Sequence, residues 1–230
     1  MGMMITDPQC AKCPGRYCRS NPIEEVKKET LPPYCPMRLD LKTIEKSVKR
    51  YQDSEVKDLY GPATIVEKEA YQKVRGVQMA VRPRIKELIE IAKLLNVKKI
   101  GIAFCAGLQD EASRLTSLLE EQGLHVVSVL CKCGGIDKTI LGIPKRFKIR
   151  KPDMFEAACN PILQAELLNK AKTGINVIVG LCIGHDMIFT KNSNAPVTTL
   201  IVKDRLLGHN PIIGLYSSYH KDIIESQRRT

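Results

Sequence analysis

From residue 97 onward, short apolar runs alternate with stretches of helical periodicity, and this alternation constrains the fold more than any other feature. The predicted strands are Lys99–Cys105, His125–Cys131, Ile175–Cys182 and Val197–Val202. Strands of a parallel sheet are covered on both faces, so they read as continuous apolar runs. Helices are predicted between them, over Gln109–Gln122 and Pro161–Lys172. The sequence therefore predicts an α/β fold with a doubly wound, mostly parallel sheet.

The chain before this sheet divides into two segments of different character. Residues 39–96 show helical periodicity, with one helix expected to end near Tyr51 and another over 63–81, on either side of a break at Gly61-Pro62. Residues 1–38 are rich in proline and too poor in apolar residues to fold without a staple such as a metal. We therefore expect a metal-binding module (1–38), a helical lead-in (39–96) and an α/β domain (97–230).

Four cysteines of the first segment have the spacing of metal ligands. They are Cys10, Cys13, Cys18 and Cys35. Four thiolates that include one Cys-x-x-Cys pair can bind zinc tetrahedrally or hold an iron–sulfur cluster. Proline follows Cys13 and Cys35, as in ferredoxin-type motifs, and the second Cys-x-x-Cys pair of a zinc ribbon is absent from this segment. We favour an iron–sulfur cluster over zinc, and the alternative is four unliganded thiols.

Five further cysteines are expected to meet at one edge of the sheet. Cys105, Cys131 and Cys182 end predicted strands, and ligands of open parallel sheets bind beyond the carboxyl ends of the strands. Loop residues join them, so that the candidate site consists of Cys105, Cys131, Cys133, Cys159, Cys182 and His185. These side chains are predicted to act as reactive thiolates or as ligands of a second metal or cluster. The alternative is a set of small core residues, because free cysteine is commonly buried.

Composition excludes several classes of protein. Nine cysteines in 230 residues favour metal or thiol chemistry over a disulfide framework, because cytosolic thiols stay reduced. No apolar run approaches the roughly 18 residues of a membrane span, and the first residues lack a signal peptide, so we expect a cytoplasmic protein without a membrane partner. The net charge of +11 and the basic segment 144–152 permit an anionic partner. We expect weak, non-specific nucleic-acid binding at most, and the alternative is a solvated loop.

Several short motifs together resemble a known family. They are Cys10-Ala-Lys-Cys13, Cys131-Lys-Cys133-Gly-Gly, Cys159-Asn-Pro, Gly180-Leu-Cys182-Ile-Gly-His185-Asp186, Lys203-Asp204-Arg205 and His209-Asn210-Pro211. The sequence resembles a prokaryotic, cysteine-rich family of unknown function that is associated with metal binding. The motifs extend over nearly the whole chain. The resemblance implies metal binding, and it implies no particular reaction.

Our leading hypothesis is a metal-binding, iron–sulfur protein with a redox or thiol-chemistry role and a redox protein as its partner. One alternative is a zinc-stabilised binding protein that contacts nucleic acid or an acidic partner. The other alternative is a thiol-based sulfur-transfer enzyme whose N-terminal metal is structural. The sequence does not define the metal, the substrate or the oligomeric state.

Overall fold

The computed structural model describes residues 7–220 and divides the chain into two compact units, one ending at Ile65 and one beginning at Val66. The first unit contains short 3-10 turns, at Cys10–Lys12, Tyr17–Arg19 and Lys28–Thr30, followed by helices α1 (Pro36–Leu39) and α2 (Leu41–Arg50). Asp40 begins α2, because its carboxylate accepts a hydrogen bond of 3.0 Å from the N–H of Thr43. The boundaries expected at residues 38 and 96 remain predictions.

The next helix corrects the break expected at Gly61-Pro62. Helix α3 (Ser54–Glu69) runs through Pro62 without interruption. Proline removes one N–H of the hydrogen-bond ladder. The residues that follow keep their own bonds, and Ala70 N–H still donates to the carbonyl of Val66 at 3.0 Å.

The helix predicted over 63–81 is also wrong, because a β-hairpin occupies its second half. Strands β1 (Tyr71–Val74) and β2 (Val77–Ala80) pair antiparallel, with Val74 opposite Val77. Arg75 and Gly76 form the two-residue loop, and both have positive φ, of 49° and 82°. Two successive residues of positive φ are the requirement of a tight hairpin turn. This turn ends the helical path and reverses the chain.

The second unit contains the predicted parallel sheet, with the elements in the predicted alternation. They are helix α4 (Arg84–Leu94), strand β3 (Lys99–Phe104), helix α5 (Gln109–Glu121), strand β4 (His125–Leu130), helix α6 (Pro161–Lys170), strand β5 (Ile175–Val179), helix α7 (His185–Asn192), strand β6 (Val197–Ile201) and the short helix α8 (Ile213–Tyr216). The four strands are parallel in the order β4-β3-β5-β6. The mixed α/β fold and the four-stranded parallel sheet are therefore confirmed.

An apolar cluster lies on each face of this sheet. On one face, Ile100 and Ile102 of β3 pack with residues of α4 and α5, such as Ala92 and Leu119. On the other face, residues of α6 and α7 pack against Ala103 of β3 and Val129 of β4. Side chains of a strand alternate between the two faces, so this second cluster continues along the sheet to Cys105 and Cys131.

Gly101 of β3 allows the close packing of this strand against its neighbours in β5 and α6. A Cβ added to Gly101 would lie 2.1 Å from Oδ1 of Asn176 and 2.8 Å from Leu168. Strand β3 therefore approaches its neighbours more closely than any residue with a side chain allows. Within residues 7–220, none of the helices combines the length and the apolar character that crossing a bilayer requires.

Candidate active site

The ends of β3 and β4 bring two predicted site residues side by side. Cys105 and Cys131 directly follow these strands, which pair in register with Phe104 opposite Leu130. The N–H of Cys131 donates to the carbonyl of Phe104 at 2.8 Å, so strand pairing extends to this position. The N–H of Ala106 donates to Cys131 Sγ at 3.4 Å. The buried Cys131 thiol is thus held against the turn that follows Cys105.

Cys159 joins this pair from the loop that precedes α6. The N–H of Asn160 donates to the carbonyl of Cys131 at 2.7 Å, which ties the two backbones together. The Sγ atoms of Cys159 and Cys131 are 3.9 Å apart. Asn160 also begins α6, because its side chain accepts a hydrogen bond from Leu163 N–H at 3.0 Å, and Pro161 fills the first helical position. Cys105, Cys131 and Cys159, with Cys131 between the other two, are hereafter the thiol triad.

A buried glutamine holds α6 against the strand ends beside the triad. Gln164 is fully buried, and its Nε2 donates to the carbonyls of Val129 at 2.7 Å and Phe104 at 3.3 Å. Its Oε1 has no hydrogen-bond partner. Buried amides are usually paired, so the two donated bonds fix the position of this side chain at the cost of one unpaired oxygen. Gln164 therefore joins three of the elements that position the thiols.

The hydrogen bonds within the triad shift the pKa values of its thiols in opposite directions. The pKa of Cys131 is raised, because its proton is shared with Cys105 and Cys159 and because the side chain is buried. The pKa of Cys105 is lowered to about 5, first by the hydrogen bond from Cys131 and then by the N–H of Gly107 and the ammonium of Lys203. These directions favour the thiolate form of Cys105 and the protonated form of Cys131.

The second outer thiol competes with Cys105 for the single proton of Cys131, and negative charge on Cys105 raises the pKa of Cys159. The pKa of Cys159 is lowered to about 6 by the hydrogen bond from Cys131, and the positive charges of Lys132 and His185 add to this effect. Lys132 is oriented by a hydrogen bond from its Nζ to the carbonyl of Ala157. Both outer thiols are partly exposed, whereas Cys131 is only 3% exposed. The two thiols with a lowered pKa are thus also the accessible members of the triad.

The other predicted site residues lie in different surroundings. Cys133 packs against the same apolar cluster as the triad. Cys182 is three residues beyond β5 rather than at its end, and Nη2 of Arg205 donates to its Sγ at 2.7 Å. Desolvation raises the pKa of the Cys182 thiol. His185 begins α7, and its N–H donates to the carbonyl of Cys182 at 2.9 Å. Cys182 is therefore paired with an arginine, and its contacts differ from those of the triad.

The loop after β6 contributes residues outside the predicted site. Lys203 contacts the Cys105 thiolate and Arg205 contacts Cys182. Two hydrogen bonds between His209 and Asp204 close the loop. The Nδ1 atom of His209 accepts one from the backbone N–H of Asp204 at 3.1 Å, and the backbone N–H of His209 donates to the Asp204 carbonyl at 2.9 Å. Lys203 and Arg205 directly follow the fourth strand, so the strand-end argument applied to the cysteines could have found them.

The four N-terminal cysteines lie in the first unit, where Tyr34 forms hydrogen bonds to the segment that contains Cys10 and Cys13. Cys10 and Cys18 are exposed, and Cys13 and Cys35 are partly exposed. Tyr34, next to Cys35, accepts a hydrogen bond of 3.3 Å from the N–H of residue 9, and its hydroxyl donates to the carbonyl of residue 12 at 2.9 Å. These bonds connect Tyr34 to the residue before Cys10 and to the residue before Cys13.

In the part of the chain that the structure describes, no group of three or more His, Cys, Asp and Glu side chains has an arrangement suited to a metal ion. The metal predicted for the four N-terminal cysteines therefore stays a prediction, as does a second metal at the sheet edge. The thiol triad itself is defined by its hydrogen bonds and contacts alone.

The basic segment 144–152, whose charge permits an anionic partner, is partly neutralised by acidic neighbours. Lys145 forms a salt bridge of 2.8 Å with Asp153. Lys148 forms one of 2.9 Å with Asp137, and its side chain is only 4% exposed. Two charges of the segment thus hold the loop together, which leaves a smaller basic surface than the sequence suggests. The other basic residues of the segment are Arg146, Arg150 and Lys151.

Comparison with known proteins identifies the family. The family model described as "Protein of unknown function (DUF1847)" matches residues 35–200. An uncharacterized protein of Methanocaldococcus jannaschii is 38% identical over 220 residues, which span 95% of this chain and 100% of that protein. The chain therefore belongs to this family, and the predicted resemblance to a family of unknown function is confirmed. The matched segment contains the thiol triad and ends before Lys203.

Proposed function

We propose that this member of the DUF1847 family is a thiol-dependent redox protein whose thiol triad exchanges disulfide bonds with a substrate. The observation that carries the proposal is the 3.9 Å contact between the sulfurs of Cys131 and Cys159, with Cys105 on the other side of Cys131. The exchange requires one accessible thiolate that attacks and a second thiol beside it that resolves the mixed disulfide, and the triad contains both.

The reaction begins at an outer thiolate of the triad. The sulfur of Cys105 or Cys159 attacks one sulfur of a substrate disulfide, the substrate S–S bond breaks, and one substrate thiolate leaves. Cys131 then loses its proton to solvent and attacks the protein sulfur of the mixed disulfide. A bond forms between Cys131 and the outer cysteine, and the second substrate thiolate leaves. The substrate disulfide is reduced to two thiols, and two protein thiols are oxidised.

The backbone near the triad supports closure of this disulfide. A disulfide requires Cα atoms separated by roughly 4.4–6.8 Å. The backbone of Cys131 forms two hydrogen bonds, one of 2.8 Å to the residue before Cys105 and one of 2.7 Å to the residue after Cys159. Side-chain rotation therefore has only a short distance to cover on either side. A second thiol compound or a redox protein partner would then return the triad to its reduced form.

In this proposal the N-terminal cysteines bind a metal, with an iron–sulfur cluster favoured over zinc. The hydrogen bonds of Tyr34 support it, since they connect the residue before Cys35 to the segment that contains Cys10 and Cys13. Absorbance of the anaerobically purified protein distinguishes the two, because a cluster colours the protein brown and zinc is colourless. A colourless, zinc-containing protein would leave the triad chemistry in place and contradict the cluster.

The experiment that tests the triad is a single-turnover reaction of the reduced protein with a small disulfide. Wild-type protein should release two substrate thiols and form one disulfide that includes Cys131, mapped by peptide mass spectrometry. Cys131→Ser should stop at the mixed disulfide and release one thiol. The double variant Cys105→Ser/Cys159→Ser should not react at the triad.

The matched control is Ser128→Ala, an exposed position on β4 whose side chain points to the other face of the sheet. This variant should behave as wild type. Release of two thiols by the double variant, with a new disulfide that includes Cys131, would contradict the proposal. A metal content that falls in the double variant, and not in Cys10→Ser, would instead identify a metal at the sheet edge.

A further inference from the structure

Four groups that carry or can acquire positive charge surround the thiol triad. The ammonium of Lys203 contacts Cys105, and it lies so close to Gly107 that a Cβ added there would be 3.3 Å from Nζ. The charges of Lys132 and His185 act on Cys159. Arg205 contacts the nearby Cys182 at 2.7 Å. These four groups come from three loops that converge on the same edge of the sheet.

The cationic character of this edge is not cancelled by nearby carboxylates. Among residues 7–220, Lys132, Lys203 and Arg205 have no carboxylate within the 4.0 Å of a salt bridge. The acidic residues next to them in the sequence accept hydrogen bonds from neighbouring backbone N–H groups instead. Asp204 Oδ1 accepts hydrogen bonds from the N–H groups of residues 206 and 207, and Asp186 Oδ1 accepts one from residue 187.

From this arrangement we infer that the triad takes an anionic substrate, a disulfide that carries a carboxylate or similar acidic group close to its sulfurs. The inference rests on the proposed disulfide exchange and names the class of its substrate. Lys203 and Arg205 attract the acidic group as the substrate approaches. They also stabilise the thiolate that leaves when the substrate S–S bond breaks, so their charge acts on the step as well as on binding.

The test compares two aromatic disulfides that differ in charge. One is 5,5′-dithiobis(2-nitrobenzoate), which carries a carboxylate on each ring, and the other is 2,2′-dithiodipyridine, which is uncharged at neutral pH. The measured quantity is the ratio of their second-order rate constants with the triad. A ratio cancels any change in the fraction of thiolate, because both probes react with the same thiols.

The variants are Lys203→Gln, Arg205→Gln and the double substitution, in the full chain. Each of these two cations should contribute about fivefold or less to the ratio, so the double variant should lose at most about 25-fold of the preference for the anionic probe. Added salt should lower the wild-type ratio in the same direction. Lys203→Glu should lower it further than Lys203→Gln.

The matched control is Lys170→Gln, an exposed lysine at the end of α6 that is distant from the strand ends. Its ratio should equal that of wild type. An unchanged ratio in the double variant, with both probes still reacting at the triad, would overturn the inference and leave the disulfide exchange intact. If neither probe reacts at the triad of the wild-type protein, the proposed function itself is wrong.

Discussion

Replacing Cys131 with alanine should remove the proton donor that activates Cys105. The hydrogen bond from Cys131 is the largest cause of the lowered pKa of Cys105, which is about 5 against an ordinary value of 9.0. At pH 7 a thiol with a pKa near 5 is about 99% thiolate, whereas one with the ordinary value is about 1% thiolate. The pH at which Cys105 is half ionised should therefore rise in Cys131→Ala towards the ordinary value, a change of about 4 pH units.

The residual interactions decide where the new midpoint lies. The Gly107 N–H and the Lys203 ammonium still favour the thiolate, and burial opposes it. We therefore expect a midpoint between the wild-type value and the ordinary one. Cys159 should move upward in the same variant, because Cys131 is also the largest cause of its lowered pKa of about 6.

The assay is alkylation by iodoacetamide, followed separately for each cysteine by peptide mass spectrometry between about pH 4 and pH 10. The midpoint of the pH profile is the readout rather than the plateau rate, because a thiolate of higher pKa is intrinsically more nucleophilic. Cys131→Ser should shift the midpoints less than Cys131→Ala, since a hydroxyl can still donate. Ser128→Ala is the control and should leave both midpoints unchanged.

The reasoning would be refuted by a Cys131→Ala protein that retains its thermal unfolding transition and in which Cys105 keeps its wild-type midpoint. That result would mean that Lys203 and the backbone alone stabilise the thiolate. A change at Cys159 without a change at Cys105 would assign the shared proton to one side of the triad only.

Three further predictions concern folding and charge. Removal of metal by a chelator, or Cys13→Ser, should make the N-terminal segment protease-sensitive while the second unit stays resistant; equal resistance with and without metal would contradict a metal-dependent fold. Gly101→Ala should lower the free energy of unfolding by about 2 kcal/mol, measured by urea denaturation, because its Cβ would lie 2.1 Å from Asn176 Oδ1. Any RNA binding should be weak, should fall steeply with salt, and should be lost when Arg150 and Lys151 are both changed to Gln; binding that survives high salt would point to another surface.

The sheet could be predicted from sequence because its strands need no context to be recognised. The segment that begins at Ile175 is apolar along its whole length, and every residue of β5 is buried. Such a segment fits only a strand that is covered on both faces. The order of the strands follows from packing between distant segments, and no local pattern in the sequence contains it.

The hairpin could not be read in the same way. Residues 71–80 are exposed on both strands, so they lack the alternation that marks a half-buried strand. The only local signal is the turn, where Arg75 adopts positive φ beside Gly76. Arginine rarely adopts this conformation, whereas Asn or Asp at that position would have indicated a hairpin. For this reason the sequence pattern of 63–81 indicates a helix, although its second half forms the hairpin.

The candidate site was predictable only in outline. Cys105 and Cys131 follow adjacent strands, so the rule for parallel sheets brings them together. Their different ionisation depends on which thiol donates the hydrogen bond, and on the bond between Asn160 N–H and the Cys131 carbonyl that brings in Cys159. Spacing in the sequence contains neither fact. Cys182 shares the edge, and its contact with Arg205, which lies 23 residues later, depends on the path of the loop after β6.

Under the proposed function, the reacting sulfurs and the charges that select the substrate come from different parts of this edge, although Lys203 also lowers the pKa of Cys105. The triad is positioned by backbone hydrogen bonds of β3, β4 and the start of α6. Lys203 and Arg205 lie on the loop after β6, a strand that pairs only with β5 within the described sheet. A substitution in that loop changes the charge near the thiols and leaves the bonds that position them intact. Under the proposed function, loss of Lys203 and Arg205 should therefore alter which disulfides are reduced, whereas loss of Cys131 should stop the reduction of all of them.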